Sequence, residues 1–228
     1  MANYGFNFRA TVSAGISPLT DGTGQTYVLH TETSATRNGI TFGWDAATAL
    51  DSRDRLTTGD VRMAGMNFTG NASTERYFGV TLPATGDWII RAAFGDGTAG
   101  QTQYVRFKEG TTTFATITNI GSASNGFVDA AGTAHATQAA WISSNASISR
   151  TFTTTSLRVY IGDPAALGGN NTTIAHLYIE QVGGGATALD DGAGYMPQAA
   201  DRVTNISLWR QRWARAASGL LLPRPGFA

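Results

Sequence analysis

The run Phe78-Gly79-Val80-Thr81-Leu82-Pro83-Ala84-Thr85-Gly86-Asp87-Trp88-Ile89-Ile90-Arg91-Ala92-Ala93-Phe94 decides the fold class. Apolar residues fall at every second position: Phe78, Val80 and Leu82 before the break, then Trp88, Ile90, Ala92 and Phe94 after it. Side chains two apart share one face of an extended chain, so each half reads as a strand with one buried face. Pro83 to Gly86 supplies the turn between them. Working outward, Gln103–Lys108 and Thr112–Ile117 flank the turn pair Glu109-Gly110 and read as a β-hairpin. Further alternating runs occupy 27–31, 40–44, 61–68, 146–152, 157–161 and 174–182. Roughly ten strands with no helix-period stretch between Tyr4 and Val182 predict an all-β, antiparallel jelly-roll β-sandwich over residues 1–182.

Composition points the same way. The 228 residues include 28 Gly and 32 Thr, with only 14% charged side chains, a bias toward strands and turns. Sixteen basic and sixteen acidic residues give no net charge, which argues against a nucleic-acid binder or a polybasic membrane anchor. No apolar run approaches the roughly 18 residues of a membrane span, and Met1-Ala2-Asn3-Tyr4-Gly5-Phe6 does not read as a secretion signal, so a cytosolic origin is expected. The absence of cysteine excludes disulfides and thiolate chemistry, leaving stability to the core or to assembly. A single lysine, Lys108, stands against fifteen arginines, the residue type suited to planar and stacked contacts, although genomic base composition gives the same bias.

Beyond Val182 the character changes. Gly183-Gly184-Gly185 reads as a hinge, and residues 183–228 as an extension containing a short helix. From Arg202 onward there are five arginines and no acid, whereas residues 1–182 hold eleven basic and thirteen acidic groups, +5 against 11 − 13 = −2. Trp209 and Trp213 lie four apart and would share a helix face, with Arg210 and Arg212 on the others and Leu220, Leu221 and Leu222 beyond. Such a segment either folds over a sheet of its own chain or anchors on a neighbouring subunit. The anchoring reading, through 201–228, is the expectation adopted.

Catalytic patterns are missing. His30, His135 and His176 are far apart and show no metal-ligand spacing. There is no G-x-S-x-G elbow, and the aspartates sit mostly beside Gly or in turns. The densest charge run, Asp51-Ser52-Arg53-Asp54-Arg55, reads as a local salt-bridged loop, and the glycine-rich 95–100 as a loop tip. No enzyme activity, cofactor or metal is expected. The outward faces carry more information: alternation exposes Tyr104, Arg106 and Lys108 on one strand, Arg158 and Tyr160 on another, and His176, Tyr178 and Glu180 on a third. Tyr and Arg are the residue types of contact surfaces, so Tyr104, Arg106, Arg158, Tyr160, His176 and Tyr178 form the candidate glycan or partner contact.

Phe6-Asn7-Phe8, Gly39 to Trp44, Arg53-Asp54-Arg55 and the opening run through Asp96 together resemble the galactose-binding-like β-sandwiches, the jelly-roll family that includes many carbohydrate-binding modules. Asn7 stands where a related opening carries Asp, and Arg9 where it carries Gly. The resemblance implies the fold and, more weakly, sugar binding. A free-standing sandwich followed by a hinge and an anchoring tail also looks like phage virion proteins. The leading expectation is therefore a non-enzymatic structural protein of a phage particle, a head decoration, fibre, or neck or tail attachment. It would contact other virion proteins through 201–228, reside in the virion and form a homo-oligomer. The alternative is a carbohydrate-binding, receptor-binding module. Neither nucleic acid nor membrane is an expected partner.

Overall fold

A computed structural model describes residues 2–10, 26–46, 50–55, 61–69, 75–162 and 172–182. The extension 183–228, with the hinge and the anchor residues Trp209, Arg210, Arg212, Trp213, Leu220, Leu221 and Leu222, lies outside the described residues.

In chain order the strands are β1 (Asn3–Arg9), β2 (Thr26–Leu29), β3 (Ala35–Arg37), β4 (Ile40–Trp44), β5 (Leu50–Asp54), β6 (Gly65–Thr69), β7 (Arg76–Thr81) and β8 (Gly86–Phe94). They continue with β9 (Thr102–Glu109), β10 (Thr112–Gly121), β11 (Phe127–Asp129), β12 (Ala134–His135), β13 (Ile148–Phe152), β14 (Ser156–Ile161), β15 (Thr173–Ile174) and β16 (His176–Gln181). Among the described residues one α-helix, α1 (Gln138–Ser144), precedes β13. A seven-stranded sheet runs β12-β11-β8-β16-β1-β2, with β13 also on β8; a six-stranded sheet runs β10-β9-β14-β7-β4-β3; and β15-β6-β5 form a third. The described residues form an all-β sandwich in which every strand pair but β1–β2 is antiparallel.

Both large sheets turn their alternate residues into one core. Phe78, Val80 and Leu82 on one side, and Trp88, Ile90, Ala92 and Phe94 on the other, are all buried in it. Phe78 sits at the centre of an aromatic cluster, its ring within 5.0–5.7 Å of Phe6, Phe8, Phe42 and Trp44. Gly43 is fixed by close approach: a Cβ there would lie 2.4 Å from the Thr33 carbonyl oxygen, so the chain before β3 could not pass. The β9–β10 hairpin forms, but its turn is shifted by one residue from the expected Glu109-Gly110: Glu109 ends β9 opposite Thr112, and the turn is Gly110-Thr111, with Gly110 at φ 57°.

Several expectations fail for the same reason, that partners are chosen by the tertiary fold. β7 and β8 are not a hairpin: β7 pairs with β4 and β14, whereas β8 pairs with β16, β13 and β11, so Pro83 to Gly86 carries the chain from one sheet to the other. Residues 61–63 form a 3-10 turn rather than the start of a strand. α1 breaks the all-strand reading; Thr137 caps it, its hydroxyl accepting from the Ala140 amide at 3.1 Å, and Trp141 anchors it by donating Nε1–H to the Ala92 carbonyl at 2.9 Å. Asp51 to Asp54 lies in β5, not in a loop, and its neighbour Arg55 pairs with distant Asp96 through Nε and Nη2 at 2.9 and 2.8 Å. Asp96 is buried, so the 95–100 loop is tied down at its base, and the Arg55 guanidinium helps hold its carboxyl below the usual range despite burial.

β1 and β16, at the two ends of the described sandwich, lie side by side and antiparallel, with Asn3 opposite Glu180 and the Gln181 amide donating to the Ala2 carbonyl at 2.9 Å.

Candidate functional site

The alternation that buries Val105, Phe107, Leu157, Val159, Phe78 and Val80 turns the intervening residues of β9, β14 and β7 onto the outer face of the six-stranded sheet. Register decides which of them meet. Tyr160 on β14 lies opposite Arg106 on β9 and Tyr77 on β7; one pleat along, Arg158 lies opposite Lys108 and Gly79. Gly79 is in turn opposite Gly43, so beside Arg158 two successive positions carry no side chain.

The result is a half-buried aromatic pair framed by cations. The Tyr77 and Tyr160 rings lie 4.9 Å apart, tilted by 36°. Lys108 Nζ sits 4.1 Å from the Tyr160 ring centre, the Arg106 guanidinium 5.8 Å from it, and the Arg158 guanidinium 4.9 Å from the Tyr77 ring centre. These contacts lock the rings and hold the cations by the ring quadrupole. Two acids sit at one margin: Glu75 pairs with Arg106, accepting from Nε at 2.9 Å, and Asp45 lies 3.9 Å from Arg76 and accepts from the Tyr77 amide at 3.1 Å.

Of the six residues expected to form a contact, Arg106, Arg158 and Tyr160 come together here. Tyr104 is on the same strand as Arg106, two residues along, where its amide donates to the Thr172 hydroxyl at 3.1 Å. His176 and Tyr178 belong to the seven-stranded sheet and are not part of this face. His176 is buried, not exposed: its Nδ1 lies 2.8 Å from Asn7 Oδ1 and Trp141 of α1 packs edge-on against its ring. The helix that sequence periodicity does not reveal is what covers it. Tyr178 is half-buried under Arg91 and, with Arg62, Arg91, Trp141, Asn145 and His176, lines a pocket beside α1. Tyr77 is the residue of this face that sequence reading overlooks; its signal is that it alternates out of phase with Phe78 and Val80.

Among the described residues no three His, Asp or Glu side chains come together as a metal site, and no helix is long and apolar enough to cross a membrane. His135 is paired with Asp129, Nε2 to Oδ2 at 2.7 Å, while the other Asp129 oxygen accepts from the Ala131 and Thr133 amides, a turn-forming role.

No protein-family model matches the chain, and no curated protein matches it. Solved structures are similar to it at low identity. A family 35 carbohydrate binding module from Clostridium thermocellum is 12% identical, with 66% of this chain and 98% of that chain covered and a TM-score of 0.34. The isomalto-dextranase of Arthrobacter globiformis T6, complexed with panose, is 15% identical over 68% of this chain and 24% of that one, with a TM-score of 0.33. TmCBM61 in complex with β-1,4-galactotriose is 8% identical over 63% and 89%, with a TM-score of 0.30.

Proposed function

We propose that the sandwich is a non-catalytic glycan-binding module whose platform is the outer face of the six-stranded sheet. The Tyr77–Tyr160 pair carries this reading. The axial C–H groups of a pyranose make an apolar, weakly positive surface that fits the electron-rich face of a tyrosine ring, while the ring hydroxyls reach donors at the edge. Here Arg106, Lys108 and Arg158 supply those donors. In a titration of the full chain against a broad panel of neutral and acidic oligosaccharides, Tyr160→Ala and Tyr77→Ala are each expected to weaken binding about tenfold or more, about 1.4 kcal/mol. Absence of saturable binding across the panel overturns the reading.

A second reading concerns where the module works. The sequence of residues 201–228, tryptophans among arginines with one acid at its start, favours attachment to a larger assembly, and we propose a phage particle. On a density gradient of a native lysate the chain is then expected to migrate with the particles at a fixed copy number. Recovery wholly in the soluble fraction overturns this placement and leaves the glycan reading untouched.

A further inference from the structure

The cations of the platform are not treated alike. Arg106 and Arg76 each have an acid beside them, Glu75 and Asp45. Lys108 and Arg158, directly opposite one another across the β9–β14 ladder, have no ion-pair partner among the described residues. Like charges in directly opposed positions destabilise a sheet. The positions that could hold a neutralising acid do not: Arg158 is flanked on its other side by Gly79, then Gly43, and the next pleat places Ser156 opposite Thr81. Each cation is held instead on a tyrosine face, which fixes its position and leaves its charge uncompensated. Two fixed, adjacent, unneutralised cations at the edge of an aromatic platform form half of a salt bridge.

Resting on the glycan reading, we propose that the ligand is an anionic glycan. An oxyanion of the glycan, a carboxylate or a sulfate, bridges Lys108 and Arg158 and draws them off the tyrosine faces they cover in the free protein, and one sugar ring takes their place on Tyr160 and Tyr77. The guanidinium offers paired N–H donors to two oxygens, and the ammonium a compact charge. Binding relieves the repulsion between the two side chains, so part of the affinity comes from the strain of the free face.

The test uses the full chain with one polymer backbone in three forms: dextran, carboxymethyl-dextran and dextran sulfate. At least one anionic form is expected to bind tenfold or more tighter than dextran at low salt, with the advantage shrinking in about 0.5 M NaCl as the charges are screened. The comparison between the two anionic forms identifies carboxylate or sulfate. The double variant Lys108→Gln, Arg158→Gln should lose that advantage while its unliganded melting temperature stays level or rises. Arg91→Gln, on the other sheet, should retain it. Anionic forms that bind no better than dextran, or that bind the double variant as well as the parent, overturn the proposal; the glycan reading then survives if the neutral panel binds with dependence on Tyr160. Binding to nothing in either panel overturns both.

Discussion

Phe78→Ala is expected to lower the free energy of unfolding by about 4 kcal/mol, the largest effect of any single truncation described here. The side chain is fully buried, on β7 near the middle of the six-stranded sheet, and its ring faces Phe6 and Phe8 from the opposite sheet as well as Phe42 and Trp44 from its own. Edge-on pairs such as Phe8–Phe78, 5.0 Å apart at 82°, add to the area buried, and four large rings around one vacancy cannot collapse to fill it. Urea denaturation of the purified variant gives the number through the midpoint shift at constant slope. A loss under about 2 kcal/mol would mean that the cluster repacks. Phe114→Ala, at a half-buried ring on β10, provides the internal comparison and is expected to cost less.

Glu109→Gln is expected to cost about 2–3 kcal/mol at neutral pH, and the cost should vanish in acid. Glu109 Oε1 accepts from the Thr153 hydroxyl at 2.7 Å and from the Thr153 and Thr154 amides at 2.6 and 2.8 Å, and Oε2 accepts from Arg150 at 2.6 and 3.2 Å. The Thr153 hydroxyl first, then Arg150 and the two amides, hold the carboxyl at about 2 in place of 4.5, against the opposing effect of burial. A lowered folded-state value stabilises the fold fully above pH 4.5 and is lost as the pH falls toward 2. The parent should therefore lose stability across that window, and the two proteins should converge near its lower end. The glutamine can keep an oxygen toward the threonines but then turns its NH2 toward Arg150, a donor facing donors. Arg150 is one-third exposed, which keeps the expected cost below that of a fully buried ion pair. Parallel stability curves for the two proteins between pH 2 and 5 would remove Glu109 as the source.

Glu109 also shows where sequence reading stops. Its sequence neighbours read it as half of a turn, whereas it ends β9 opposite Thr112, and its side-chain partners come from 41 to 45 residues further on. Alternation is a local property, and it identified the inward residues of β7, β8, β9 and β14 because each strand carries its own pattern. It says nothing of which strands are neighbours. For that reason Pro83 to Gly86 reads as a hairpin turn though it crosses between sheets, and the charges of 51–55 read as mutual partners though Arg55 serves Asp96. The candidate face was half legible for the same cause: Arg106, Arg158 and Tyr160 follow from the pattern, whereas His176 and Tyr178 follow it equally well and belong to the other sheet. α1 escaped because seven residues are too few to display a period, and its stability comes from a cap and one buried indole.

The adjacency of β1 and β16 governs how the sandwich bears tension. Residues 2 and 182 leave from the same corner, so a pull applied between them loads the rungs of that ladder singly, as a zipper is drawn, and the two strands part in sequence at low force. A pull that enters at residue 182 and leaves through a ligand held on the platform takes another route. It enters through β16, which β1 and β8 hold on either side, and crosses the core from one sheet to the other. The described sandwich is thus loaded along different paths when pulled between residues 2 and 182 and when pulled between residue 182 and the outer face of the six-stranded sheet.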